Sequence, residues 1–205
     1  MWTGQVSSVW TDTDNWSSHS VPASGYNVEF SASASCDLVL NTDRTVGNLT
    51  YKSSKRMLIT PGKCLSVNGV ITTSNDPNQI YIQASSTVAT GLLIFHNAVG
   101  SPVHATVEIY SITSWNLVNP GCSKYKWQFF GIPVRTMATA SPTFDGAYVR
   151  ELKENDKPNH WYQLNNGTSL TFFHGYKITQ EAAKTYILTG QLENSNYSVT
   201  QSYTS

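Results

Sequence analysis

Apolar and polar positions alternate along almost the whole of this chain, in runs short enough to be strands. In the first half the runs are NVEF (27–30), DLVL (37–40), GNLTY (47–51), MLIT (57–60), LSVNGVI (65–71), QIYIQ (79–83), GLLIF (91–95) and ATVEIY (105–110). Most set bulky side chains two positions apart, the period that puts them on one face of a strand. The turn signals NTD, PGK, SNDPN and NAVGSP separate them. Helical periodicity is nearly absent, and only TQEAAKTY (179–186) predicts a helix, of about two turns. Brief strands at this rhythm fit either a sandwich of hairpins or a solenoid whose strands stack on their equivalents in the next coil. No Asn-Gly or Asp-Gly turn separates these runs, and the one such pair, Asn68–Gly69, falls inside a predicted strand. Small or polar residues between the aliphatic ones suit a face that fills a narrow interior. Both features favour the solenoid.

From about Ser111 the pattern changes. Aromatic residues crowd into KWQFFGIPV (126–134), AYVREL (147–152), HWYQL (160–164) and SLTFFHGYKIT (169–179), and the polar connections lengthen to RTMATASPTFDG and KENDKPN. The expected architecture is all-β: a short right-handed β-solenoid (β-helix) over 1–111, then an antiparallel β-sandwich over 112–205, with the boundary inside 111–125.

Three of the six tryptophans, Trp2, Trp10 and Trp16, lie in an opening stretch that is otherwise small or polar. They are either a sugar-stacking platform with ring faces in water, or a plug over the open end of the solenoid, whose last coil exposes apolar interior and unpaired backbone. The plug is the expectation. Asn15 then holds the turn that aims Trp16 inward, and Pro22 sets the approach to the first strand at Val28.

Charge narrows the function. Only 13% of residues are charged, thirteen basic against thirteen acidic, with no basic run to neutralise phosphates, so nucleic acid is not an expected partner. No apolar run approaches the roughly 20 residues that cross a bilayer. The N-terminus lacks the basic-then-apolar pattern of a signal peptide. Abundant Ser, Thr and Asn with few charges suit a secreted β protein. The three cysteines, Cys36, Cys64 and Cys122, have no CxxC spacing and are either one disulfide with a free thiol or three free thiols. If a bond forms, Cys36 and Cys64 are the pair best placed for it, both near strand starts on what would be neighbouring coils.

Chemistry is hard to find. There is no G-x-S-x-G and no H-E-x-x-H. His19, His96, His104, His160 and His174 read as surface or structural residues. The acids of the first half, Asp12, Asp14, Glu29, Asp37, Asp43, Asp76 and Glu108, are scattered and suit turns. DTDN (12–15) lacks the Gly and the distant Glu of a calcium loop. No catalytic residue, metal or cofactor is expected. The candidate ligand-binding residues are aromatic: Trp115, Trp161, Tyr162, Phe173 and Tyr176. Adjacent pairs such as Trp161–Tyr162 must face opposite ways on a strand, so about half of these rings belong to the core.

The motifs in order resemble a family. WTGQVSSVWTDTDNWSSHSVPASGYNVEF is similar to the W-x-G…N-W…V-P opening of bacterial secreted β-solenoid proteins, frequent among surface proteins of Bacteroidetes. GLLIFHNAVGSPVHATVEIY resembles their last coil, and KWQFFGIPV, AYVREL, HWYQL, LTFFHGYKI and YILTGQL resemble the domain that follows. The motif adds Gly4 to the cap residues. The resemblance implies an adhesin-like, non-enzymatic module of a secreted or cell-surface protein on the outer face of a bacterial outer membrane. It also implies further domains C-terminal to this chain and a type IX secretion signal beyond it. Expected partners are a surface glycan or another cell-surface protein. The alternative is a carbohydrate-binding module of a larger secreted glycan-degrading protein, and behind it a polysaccharide-active enzyme.

Overall fold

The computed structural model describes residues 1–96, 102–116, 124–138, 143–154, 160–165, 167–194, 198 and 200; of the side chains at 115, 116, 124, 136 and 138 nothing is said. Cys122 lies outside the described residues. These residues are almost wholly strand and turn, and the one helical segment among them is the 3-10 turn Thr13–Asn15. The chain divides into two compact units, Met1–Glu108 with the returning segment Thr189–Asn194, and a second built on Ile109–Leu188.

The first unit is a β-solenoid of about three coils. Its first coil holds β1 (Val28–Phe30), β2 (Leu38–Leu40) and β3 (Arg44–Val46); the second holds β4 (Leu49–Tyr51), β5 (Met57–Ile59) and β6 (Cys64–Val67). The third holds β7 (Ile71–Thr72), β8 (Ile80–Ile82) and β9 (Leu92–Phe95), and β10 (His104–Ser111) lays a further parallel strand on β8. Each strand pairs in parallel with its equivalent one coil later, giving the three stacks β1-β4-β7, β2-β5-β8 and β3-β6-β9.

The alternation now has a cause. Register puts like residues over like: Val28, Leu49 and Ile71 form one buried column, Leu38, Met57 and Ile80 a second, and Leu40, Ile59 and Ile82 a third. Each side chain removes its apolar area from water against the coil above and the coil below, worth about 1.5–3 kcal/mol apiece.

The corners explain the residues between the strands. Asn27 Oδ1 accepts from the backbone N–H of Asn48 at 2.8 Å, and Asn48 Oδ1 accepts from that of Val70 at 2.8 Å. Asp37 and Asp43 do the same for Arg56 and Cys64, each at 2.8 Å. These side chains hold the next coil, whereas Asp12 and Asp76 hold their own turns as expected, accepting from Asp14 N and Asn78 N. Asn68–Gly69 is such a corner: the predicted strand over 65–71 is in fact β6 and β7, lying on two different faces.

The second unit gathers the expected sandwich strands into one four-stranded antiparallel sheet and two ribbons. Its strands are β11 (Trp115–Asn116), β12 (Lys124–Tyr125), β13 (Gln128–Phe130), β14 (Thr136–Ala138), β15 (Ala147–Leu152), β16 (Trp161–Gln163), β17 (Ser169–Thr171), β18 (Tyr176–Gln180) and the part of β19 (Lys184–Gln191) up to Leu188. The sheet order is β13-β18-β15-β16, and β11–β12 and β14–β17 are the ribbons. Val149, Tyr176 and Ile178 are buried on one side of the sheet, and Phe144 and Tyr186, also buried, lie with tilted rings 5.1 Å apart. The helix expected over 179–186 is absent. Thr179, Gln180, Tyr186 and Leu188 are all buried, and the stretch reads as the end of β18, a bend and the start of β19. Gln180 is satisfied inside, its Nε2 donating to Thr113 O at 2.6 Å and to Ser111 Oγ at 2.9 Å.

Candidate functional site

The opening tryptophans are buried: Trp2 and Trp10 are 0% exposed and Trp16 is 1% exposed. No ring face is left in water for a sugar. Trp2 bridges Phe30 of β1 and Val9 bridges Val39 of β2, so the segment pairs along the outermost strands of two stacks. Trp2 lies 6.1 Å from Phe30 and near parallel to it, and Phe30 stacks in turn on Tyr51 at 4.4 Å. Trp16 meets Trp2 and Trp10 edge-on and donates its Nε1–H to Trp10 O at 2.9 Å.

Asn15, wholly buried, ties the loop together. Its Oδ1 accepts from Val6 N and Ser7 N at 3.0 and 2.9 Å, and its Nδ2 donates to Ser7 Oγ and Val9 O. Gly4 has φ +59, and a Cβ there would meet Cys36 Sγ at 2.9 Å. Pro22 is half-buried. The expected Cys36–Cys64 bond is not made: both are free thiols. Cys36 instead donates to Gly4 O and Ser7 O at 3.2 and 3.1 Å, and burial pushes its thiol pKa up.

The candidate ligand-binding aromatics separate by face. Tyr176 is 0% exposed, and its hydroxyl accepts from Thr171 N at 2.8 Å, so it is a core residue and cannot stack on a surface ligand. Tyr162, opposite Glu151, lies on that same side of the sheet, with Lys153 Nζ 4.8 Å over its ring. Phe173 is exposed at a positive-φ turn (φ 57) and packs edge-on against Phe172. Trp115 begins β11, but its side chain lies outside the described residues.

Trp161 falls in a cluster on the other face of the sheet. The register runs Phe129, Lys177, Arg150, Gln163 straight across β13, β18, β15 and β16, and places all four on the outer face with Trp161. Phe129 there is 70% exposed and sits 5.6 Å from Trp161. Lys177 Nζ lies 4.2 Å from the Trp161 ring centre and 4.9 Å from that of Trp127, and the Arg150 guanidinium lies 5.0 Å over Trp127. Cations are held here by ring quadrupoles. Among the described residues no carboxylate pairs with either one. Burial, and then the charge of Arg150, lower the Lys177 pKa from its ordinary value. Arg150 also lines a cavity of about 710 Å³, with Tyr125, Trp127, Tyr148, Gln163 and Asn165.

Trp127, Arg150 and Lys177 were not among the sequence candidates. Alternation within AYVREL and GYKIT sets the parity of Arg150 and Lys177, but only the cross-strand register brings them together. Among the described residues there is no group of three His, Cys, Asp or Glu side chains arranged for a metal. His174 Nδ1 is 3.1 Å from Glu151 Oε1. No helix among the described residues is long and apolar enough to cross a membrane.

Fold and face define a β-solenoid protein with an antiparallel-sheet unit that carries an aromatic, cationic surface. Among curated proteins the chain is similar to the minor fimbrium subunit Mfa5 of Porphyromonas gingivalis, with 31% identity over 196 residues. The match takes in 85% of this chain and 15% of that protein, so the chain spans a small part of the relative's length. No protein-family model matches the chain, and no solved structure matches it.

Proposed function

We propose that the chain is a non-enzymatic module of a secreted, cell-surface protein that acts in adhesion or surface display, on the outer face of a bacterial outer membrane. The observation that carries this is the pair of cations, Arg150 and Lys177, set over the half-buried rings of Trp127 and Trp161 beside the exposed Phe129, with no carboxylate paired to either among the described residues. In a chain of net charge zero, such a face is a place for a partner. Similarity to a fimbrium subunit supports a surface location. On this reading the solenoid, closed by Trp2, Trp10 and Trp16, is scaffold, further domains follow in the natural protein, and export uses the type IX route. The partner is a surface glycan or a cell-surface protein.

Beads coated with the 205-residue chain should attach to epithelial or bacterial cells. Arg150→Gln with Lys177→Gln should abolish attachment, while Lys63→Gln on the solenoid should leave it unchanged. Attachment that ignores the double variant would remove the face from the function.

A further inference from the structure

We propose that the cavity lined by Arg150 binds a uronate-bearing oligosaccharide. The assignment rests on the adhesion reading for its setting and on the chemistry of the cavity for its ligand. At about 710 Å³ the space is that of a small-molecule site. Arg150 lines it, with its Nε buried and without a hydrogen-bond partner and its guanidinium steadied 5.0 Å over Trp127. A guanidinium so held presents its fork to a planar carboxylate, which takes it in two parallel hydrogen bonds. Lys177, 4.9 Å from the same indole, adds positive potential and makes no ion pair among the described residues.

The walls choose a sugar over an acidic peptide. Tyr125 and Tyr148 are 46% and 47% exposed, with ring centres 6.4 Å apart and planes near perpendicular, so each offers an aromatic face of its own with a phenol at its edge. Gln163 and Asn165 add amides to the lining, which suit hydroxyl groups. Ala147 and Leu164 are the aliphatic residues of the lining, too little for the side-chain sockets of a peptide. The position of the charge chooses the sugar. The carboxylate of a hexuronate lies in the plane of its ring, so a ring flat on a tyrosine reaches sideways to Arg150. The carboxylate of an α-sialoside stands across the ring and points into the platform or away from it.

The test is calorimetric titration of the whole chain with a hyaluronan hexasaccharide, the same hexasaccharide after carboxyl reduction, sialyllactose, and a polyglutamate peptide. The hyaluronan hexasaccharide should bind, and carboxyl reduction should weaken it by about tenfold or more, the worth of a charge-assisted hydrogen bond. Arg150→Gln should weaken it as much, and Arg150→Lys by less. Equal binding of the reduced sugar overturns the proposal, and so does binding of sialyllactose or polyglutamate in place of the uronate, or of none of the four. The comparison of native with reduced sugar needs no variant, so it decides even if Arg150→Gln fails to fold. If no sugar binds while bead attachment still depends on Arg150, the uronate assignment falls and adhesion stands. If the hyaluronan hexasaccharide binds and the beads do not attach, the reverse holds.

Discussion

Trp16 shows how one residue of the opening segment is held. Its ring touches two other indoles edge-on, its Nε1–H is spent on Trp10 O, and it is almost wholly out of water. Trp16→Ala should therefore cost about 3–5 kcal/mol, the usual loss for a buried large aromatic. Urea unfolding followed by circular dichroism measures it, and an unchanged midpoint would mean that the opening segment does not stabilise the coils. From the sequence this tryptophan was either part of a sugar platform or part of a plug, the plug being preferred because a solenoid's end coil needs a cover. The Asn15 hub was legible only as a turn former. Its side chain reaches Val6, Ser7 and Val9, and nothing in local spacing reports a partner six to nine positions back.

At the scale of the element, the corner ladder sets coil on coil. A Cβ at Gly69 would stand 2.0 Å from Asn48 Oδ1, the atom that accepts from Val70 N, whereas one at Gly131 would meet nothing nearer than His174 O at 3.9 Å. Gly69→Ala should therefore lose the rung and about 1–3 kcal/mol, and Gly131→Ala should be close to neutral. Equal melting temperatures for the two would dispose of the ladder as a stabilising device. The same element scale decides what could be read beforehand. β1, β2, β4, β5 and β8 fall inside their predicted stretches, since each repeats bulky residues two apart. β3 was missed because Arg44 and Thr45 leave Val46 as its one apolar residue, and it forms by pairing with β6. Asn68–Gly69 was misread because a corner and a strand interior have the same composition until the turn of the coil is known. The outer face of the second unit was half legible. Trp161 stood out as a ring, while Arg150 and Lys177 became neighbours only through the pairing of β15 with β18.

Across the whole molecule, buried phenols tie both units to pH. Burial pushes Tyr51 in the solenoid upward, and in the second unit it pushes Tyr176 upward and Tyr186 up to about 12 from 10.0. A group whose folded pKa is raised contributes stability that is full below its unfolded value and fades as pH climbs through the folded one. For Tyr186 that window is pH 10.0 to about 12. Stability should fall across it, and absorbance titration should show these phenols ionising late and together with unfolding; early, reversible ionisation of all eleven tyrosines would contradict the burial. The coils have another consequence, for reach. Because Val28, Leu49 and Ile71 occupy one column, and Asn27 and Asn48 hand on the same bond to the next coil, residues 49–70 are a module that can be repeated. A duplicated copy would find its own floor, ceiling and corner rung. It would lengthen the stack by one strand spacing, about 4.8 Å, which makes the solenoid a ruler that a genome can extend in steps.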